Sequence, residues 1–207
     1  MTAAEDLPLL ETRMTFLEMV NPPPLAYTGE RKDVLLERKD QPDVDEYVAL
    51  FRAIGQHWLW QNRLAHTRDE IAEIISRAET GLYILYTRDE HKPVGILELD
   101  WSDAVNVNLV YFGLVSEYIG QQLGGFLMQN ALRIVWERMP RPERFWFTTC
   151  TFDHPGALGF YKHFGFRAYR TDVPDSFPDP RLNPHLYGGA YAVTCAPHVP
   201  LARRCRT

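Results

Sequence analysis

Apolar and polar positions recur with two periods along this chain, and the segments they mark follow one another in mixed order. Residues 13–20 (Met14-Thr15-Phe16-Leu17-Glu18-Met19 at their centre) and 34–38 read as short strands. The first is stopped by Asn21-Pro22-Pro23-Pro24, because proline cannot continue a ladder. Tyr47, Leu50, Phe51 and Ile54 then make one apolar helical face. Asp43 and Glu46 have the spacing of a capping box, and Gly55 closes that helix. Ile71, Ile74 and Ile75 mark a second helix over residues 68–78, with Thr67 as its cap. The β-prone runs 81–88 and 93–101 flank the turn Asp89-Glu90-His91-Lys92 and form a hairpin. On its second strand Ile96, Glu98 and Asp100 share one face, and Gly95, Leu97 and Leu99 the other. Two carboxylates on one face of an apolar strand are either a solvated sheet surface or candidate proton acceptors.

The stretch from Val107 to Met128 changes period twice. Residues 107–115 are apolar and β-prone, residues 116–123 form a polar turn, and from Gly124 the apolar positions recur at helical spacing, with Asn130 out of character. A strand, tight loop and helix in that order aim unpaired backbone N–H groups and the positive end of a helix dipole at one spot, which favours an anion such as phosphate. Gly120, Gly124 and Gly125 ease the turn and a close ligand approach, although glycines at such junctions also serve packing alone. No Gly-Lys-Ser/Thr follows and no Gly-x-Gly-x-x-Gly precedes, so this is neither a P-loop nor a dinucleotide fingerprint. Downstream, residues 144–151 read as a strand, and Asp153-His154-Pro155 opens a helix with Asp153 as its cap. That helix carries Ala157, Leu158, Phe160, Tyr161 and Phe164, Gly165 ends it, and a last strand runs over 166–169. From Thr171 the chain is proline-rich with a basic end. The organisation expected is an arm with a short strand (1–33), one α/β domain (34–170) and a tail (171–207) that packs across the sheet or moves freely.

Composition narrows the function classes. A formal net charge of −5 argues against a nucleic-acid footprint and suits an amine substrate, as it suits many soluble proteins. No run reaches the roughly 18 apolar residues of a membrane span, and the N-terminus lacks a signal peptide's apolar stretch. Cys150, Cys195 and Cys205 are odd in number and have no metal-ligand spacing, so no metal is expected and a reducing cytoplasm is the simplest location. Trp58 and Trp60, two residues apart, either fill a core or wall a substrate site whose broad rings attract a cation.

Two motifs resemble the GNAT superfamily of acetyl-CoA-dependent N-acetyltransferases. Phe112-Gly113-Leu114-Val115-Ser116-Glu117-Tyr118-Ile119-Gly120-Gln121-Gln122-Leu123-Gly124-Gly125 is similar to the family's strand and pyrophosphate loop. His154-Pro155-Gly156-Ala157-Leu158-Gly159-Phe160-Tyr161-Lys162-His163-Phe164-Gly165-Phe166 is similar to its Asn-x-x-Ala-x-x-x-Tyr-x-x-x-Gly-Phe. The resemblance covers roughly residues 34–169. It departs at Ser116 (usually Pro), Ile119 (Arg or Gln), Gln122 (Gly) and His154 (Asn). A side chain at Gln122 would restrict the turn or crowd the pyrophosphate, while its N–H can still donate if φ stays negative.

The resemblance implies a mixed, mostly antiparallel, splayed sheet with helices on both faces. It implies acetyl-CoA as cosubstrate, bound by Leu114, Val115, Gln121, Gln122, Leu123, Gly124, Gly125 and His154, with a backbone N–H at Leu114 or Val115 on the oxyanion. Tyr161 matches the family's usual donor to the leaving thiolate. Glu98 or Asp100 would take the amine's proton, directly or through water, and Trp58, Trp60, Tyr111 and Asn108 would line the acceptor route. The implied activity is acetyl transfer to a primary amine of a small molecule or peptide. The alternatives are a catalytically degenerate CoA-binding module and an interaction protein that uses the tail. A homodimer is compatible with all three; nucleic-acid and membrane partners are not expected.

Overall fold

The structure, a computed structural model, describes residues 13–22, 29–58, 60 and 62–172. Strands β1 (Met14–Met19), β2 (Val34–Arg38), β3 (Thr80–Thr87), β4 (Pro93–Asp100), β5 (Asn106–Leu114), β6 (Arg144–Cys150) and β7 (Arg167–Asp172) form one sheet in the order β2-β3-β4-β5-β6-β1-β7. Every neighbouring pair is antiparallel except β5 and β6, which run parallel. Helices α1 (Val44–Gly55) and α2 (Arg68–Ile75) cover one face, and α3 (Leu123–Trp136) and α4 (Ala157–His163) the other. This is the mixed, mostly antiparallel sheet with helices on both faces that the motifs imply.

Strand alternation divides the interior in two. Leu82, Ile84, Tyr86 and Ile96 point to α1 and α2, where they meet Tyr47, Leu50, Phe51 and Ile54. Leu85, Leu97, Leu99, Phe145 and Phe147 point to the α3 side with Phe126, Leu127, Ala131 and Val135. Asn130, the polar residue on the buried face of α3, is satisfied within its own helix by donating to the Phe126 carbonyl at 2.9 Å.

The caps differ in detail from the sequence reading. Asp43 accepts from the Asp45 and Glu46 amides at 2.7 and 3.1 Å, but Glu46 does not reciprocate; it accepts from the Tyr86 hydroxyl at 2.8 Å. The complete capping box forms instead at Thr67 and Glu70. Helix α2 stops at Ile75, short of the expected residue 78, because the Thr80 hydroxyl takes the Ile74 carbonyl at 2.7 Å as the chain turns into β3.

The strand expected in an N-terminal arm is an inner strand of the sheet. It lies between β6 and β7, with Met14 opposite both Cys150 and Asp172. The arm before residue 13, Pro23 and Pro24 of the stop signal, and the tail beyond Asp172 lie outside the described residues.

One feature of the sheet builds the site. Strands β5 and β6 are paired only from Asn106–Arg144 to Asn108–Trp146. Asn108 pins the end of that pairing by donating from Nδ2 to the Trp146 carbonyl at 3.2 Å, so it closes the fork instead of lining an acceptor route. Beyond it β6 follows β1 and β5 follows β4, and the two part. On β5 the register slips, Glu98 facing Tyr111 and Leu99 facing Leu109, which leaves Val110 as an extra, bulged residue at the opening.

Candidate active site

The fork exposes one edge of β5. Val115 donates its N–H to the Val94 carbonyl at 2.9 Å. Bonded positions alternate along an antiparallel pair, and Leu114 lies opposite Gly95 with Gly113 opposite Ile96. Gly113 therefore bonds to β4, whereas Leu114 and Phe112 turn their amides and carbonyls toward the gap left by β6. Of the two amides expected to meet an oxyanion, Leu114's is available; Val115's is committed to Val94. Gly113 must be glycine for packing, since a Cβ there would lie 2.6 Å from Ile54 Cγ2 and 2.9 Å from Trp60 Cη2.

The loop after β5 delivers the N-terminus of α3 to the same gap. Its turn uses two left-handed residues, Gly120 (φ 87°) and Gln122 (φ 62°). Phe126 is the first residue of α3 whose N–H reaches back along the helix, to the Gln122 carbonyl at 3.2 Å, so the Leu123, Gly124 and Gly125 amides precede the helical ladder. Gln121 braces the turn: its side-chain amide donates to the Glu117 carbonyl at 2.8 Å, and its own carbonyl accepts from Arg31 at 3.3 Å. Leu123 is a core residue, 2% exposed, and contributes backbone alone.

The condition set for Gln122, a negative φ, is not met. Gln122 occupies the left-handed conformation that the glycine at this family position would adopt without strain. That conformation costs a non-glycine residue roughly 1–2 kcal/mol, against about 0.5–1 kcal/mol of extra chain entropy lost by a glycine. Gln122→Gly is therefore expected to stabilise the fold by up to about 1 kcal/mol, a rise of roughly 2–4 °C in Tm for a chain of this size. Thermal unfolding checks it, and a lowered Tm would mean that the Gln122 side chain supports the loop.

A cavity of about 430 Å³ runs from this loop along the β5 edge. Gly120, Gln122, Gly124 and Gly125 line one end, Gly113 and Leu114 one wall, and His154, Ala157 and Phe160 the opposite wall. His154 closes the turn into α4 with its ring: Nδ1 accepts from the Gly156 amide at 3.0 Å, and the ring stands edge-on to Trp58 at 5.5 Å, so both residues lie in the cavity wall.

A second cavity, about 180 Å³, opens on the other side of the fork, with Asn62, Tyr111, Thr148 and Cys150 among its lining residues. Trp60, Phe112, Asp153 and Tyr161 line both cavities, so the two adjoin at these residues, here termed the neck. Tyr161 is 9% exposed, and its ring meets Phe147 edge-on at 4.5 Å. Burial pushes its hydroxyl pKa well up, and the nearby Asp153 charge pushes it further. Trp60 is wedged among Phe51, Tyr111 and the bare backbone of Gly113.

Asp153 does not cap α4. It folds back on β6, accepting from the Thr149 hydroxyl at 2.5 Å and the Cys150 amide at 2.9 Å. Asp153 is half-buried and lines both cavities. Burial raises its pKa against the pull of these donors. The sequence reading missed this role because Asp-x-Pro before a helix matches a cap so well. The available signal was an acidic residue at the end of the strand that leads into the tyrosine helix.

Glu98 and Asp100 lie elsewhere. Together with Arg63 they line a third cavity, on the far side of the Val110 bulge from the neck. Glu98 is 2% exposed and engaged, accepting from the Tyr47 hydroxyl at 2.7 Å and forming an ion pair with Arg63. Burial pushes its carboxyl up, against the pull of both donors. Asp100 accepts from the Ser102 amide at 2.8 Å. The structure therefore brings together Tyr161, Trp60, Leu114, Gln122, Gly124, Gly125, His154 and Trp58 on one cavity and adds Tyr111 through the neck. It sets Glu98 and Asp100 apart.

Among the described residues there is no group of acidic, histidine and cysteine side chains able to hold a metal, and no helix long and apolar enough to cross a membrane.

Residues 46–166 match the model of the acetyltransferase (GNAT) family. No curated protein matches the chain. Among solved structures, a GCN5-related N-acetyltransferase from Sphaerobacter thermophilus superposes with a TM-score of 0.59 at 14% identity, over 82% of this chain and 52% of its own. A tandem GNAT protein from the clavulanic acid biosynthesis pathway gives 0.58 at 16% identity, over 81% and 52%. A GCN5-related N-acetyltransferase from Kribbella flavida gives 0.52 at 17% identity, over 82% and 59%. The chain thus spans little more than half the length of each.

Proposed function

The chain belongs to the GNAT acetyltransferase family, and from that premise we propose that it transfers the acetyl group of acetyl-CoA to a primary amine of a small molecule or peptide. The observation that carries this reading is the fork. A free strand edge, a helix N-terminus preceded by left-handed turns, and a buried tyrosine all border one cavity. The residues suit the cosubstrate. The amides of Gln122 to Gly125 would hold a pyrophosphate, and the β5 edge at Phe112 and Leu114 would pair with an extended amide-bearing arm.

When bound, acetyl-CoA supplies an acyl group activated as a thioester. The chain's part is to hold that group at the neck, polarise its carbonyl through the Leu114 N–H and protonate the departing sulfur from Tyr161. The raised pKa of Tyr161 keeps its proton in place until a thiolate develops.

Isothermal calorimetry with acetyl-CoA, followed by thiol release with and without a panel of primary amines, tests the reading. Binding and amine-dependent thiol release are expected. Binding with no amine dependence would favour a CoA-holding module, and absence of binding would sink both readings.

Gly124→Val is expected to weaken acetyl-CoA binding more than tenfold while the protein folds. A Cβ at Gly124 would meet Phe160 at 3.6 Å, an ordinary contact, so a first carbon fits. The two γ-methyls of a β-branched chain would then intrude on the loop end of the cavity. Unchanged affinity in the folded variant would mean that the loop is not the phosphate site.

A further inference from the structure

We propose that Asp153 is the proton acceptor for the amine, and that the second cavity admits a compact, cationic primary alkylamine that approaches the acetyl group through the neck. The proposal rests on the acetyltransferase reading and deepens it.

Position is the first argument. The chemistry needs a base within reach of both the incoming nitrogen and the thioester carbon, and Asp153 belongs to the wall of each cavity. Glu98, the carboxylate on β4, faces a different cavity and is held by Arg63 and Tyr47.

Charge is the second. Among the described residues lining the two cavities there is no lysine or arginine, and Asp153 is the one carboxylate. The titratable groups around it are Cys150 on β6, Tyr161 on α4, Tyr111 on β5 across the second cavity, and His154, whose ring turns to Trp58. Burial, reinforced by the Asp153 charge, pushes the Cys150 thiol up to about 12, and burial raises Tyr111 to about 12. Both therefore stay neutral near pH 7; behind Tyr111 the Arg63 guanidinium lies 5.1 Å from that ring and is paired with Glu98, so Asp153 is the group at the neck able to carry an unpaired negative charge, beside the Trp60 ring. An alkylammonium fits that combination through a charge-assisted hydrogen bond and a cation–π contact. An anionic acceptor does not fit it.

Orientation is the third. The Thr149 hydroxyl and the Cys150 amide fix the carboxylate, as a base that acts in one direction requires.

The protons balance. The ammonium gives its first proton to Asp153, which passes it to solvent through the cavity, and the neutral amine attacks the acetyl carbon. As the C–N bond forms and the C–S bond breaks, sulfur takes the Tyr161 proton. The nitrogen loses its second proton to Asp153, from which the tyrosinate is recharged. The products are the amide, the free thiol and one proton released.

The probe is n-butylamine with acetyl-CoA, and the variants are Asp153→Asn and Thr149→Val. Asp153→Asn is expected to keep acetyl-CoA affinity within threefold, to weaken calorimetric binding of n-butylamine to the CoA complex at least tenfold, and to lower kcat at least a hundredfold. It also removes the acid limb of the pH–rate profile. Thr149→Val deletes a hydrogen bond that lowers the Asp153 pKa, so the acid limb should move to higher pH with cofactor affinity unchanged. This second arm keeps the test alive should Asp153→Asn fail to fold. The proposal is overturned if Asp153→Asn retains the acid limb and the amine affinity, if Thr149→Val leaves the limb where it was, or if wild-type protein binds acetyl-CoA yet neither binds nor acetylates n-butylamine. Failure of wild-type protein to bind acetyl-CoA would instead sink the underlying reading.

Discussion

Tyr161→Phe is expected to lower kcat by about 10²–10⁴-fold, the usual loss of a positioned general acid, while the acetyl-CoA Kd stays within about threefold, a shift under 1 kcal/mol. The ring carries the packing: it stands edge-on to Phe147 at 4.5 Å and to Phe112 at 6.1 Å, and phenylalanine preserves both contacts. What is deleted is a hydroxyl at the neck between the two cavities. That hydroxyl matters as sulfur becomes anionic, so its loss falls on the transition state and leaves ground-state affinity nearly unchanged. A lesser fall would mean that water reaches the neck and replaces the donor. Full activity with unaltered thermal stability would remove Tyr161 from the mechanism.

How much of this was legible in the sequence depends on the range of the interaction. Period and caps are local, and α1, the β3–β4 hairpin and the β5–loop–α3 unit lie within a residue or two of the pattern. Tyr161 was legible because the residues that place it, Phe160 and Gly165-Phe166, are its neighbours in the chain. The misreadings concern partners far apart in sequence. Nothing local tells β1 to insert between β6 and β7, because that pairing is decided by an edge formed more than 120 residues later. Glu98 and Asp100 share a strand face as read, but alternation cannot say whether a face meets water, a cleft or a helix. The answer came from Arg63 and Tyr47, on segments that precede the strand. Gln122 shows a third limit, for the left-handed turn is kept although the residue is not glycine. The surrounding loop decides φ, and the side chain bears the strain.

Arg63→Met is expected to cost about 3–5 kcal/mol of stability, the usual penalty for stripping one partner from a buried pair. For a chain of this size that is a fall of roughly 6–20 °C in Tm. The side chains are 8% and 2% exposed, and Arg63 also donates from Nε to the Tyr47 hydroxyl at 2.9 Å. Burial works against the Arg63 charge, but Glu98 and the neighbouring tyrosines raise its pKa overall, so the guanidinium stays charged. Methionine fills much of the volume and leaves a carboxylate buried without a cation. The consequence should reach the site, because Arg63 and its pair with Glu98 tie the short helical turn Asn62–Ala65 to β4, and Asn62 of that turn lines the second cavity. The double variant Arg63→Met/Glu98→Gln separates charge from shape. It removes both charges yet keeps a side-chain oxygen that can accept from Tyr47. If the penalty is an unpaired buried charge, the double variant should regain most of the lost stability, and denaturant unfolding of the two single variants and the double variant gives the coupling directly. If it is as unstable as Arg63→Met, the guanidinium serves by its packing against the Tyr111 ring, 5.1 Å away, and not by its charge.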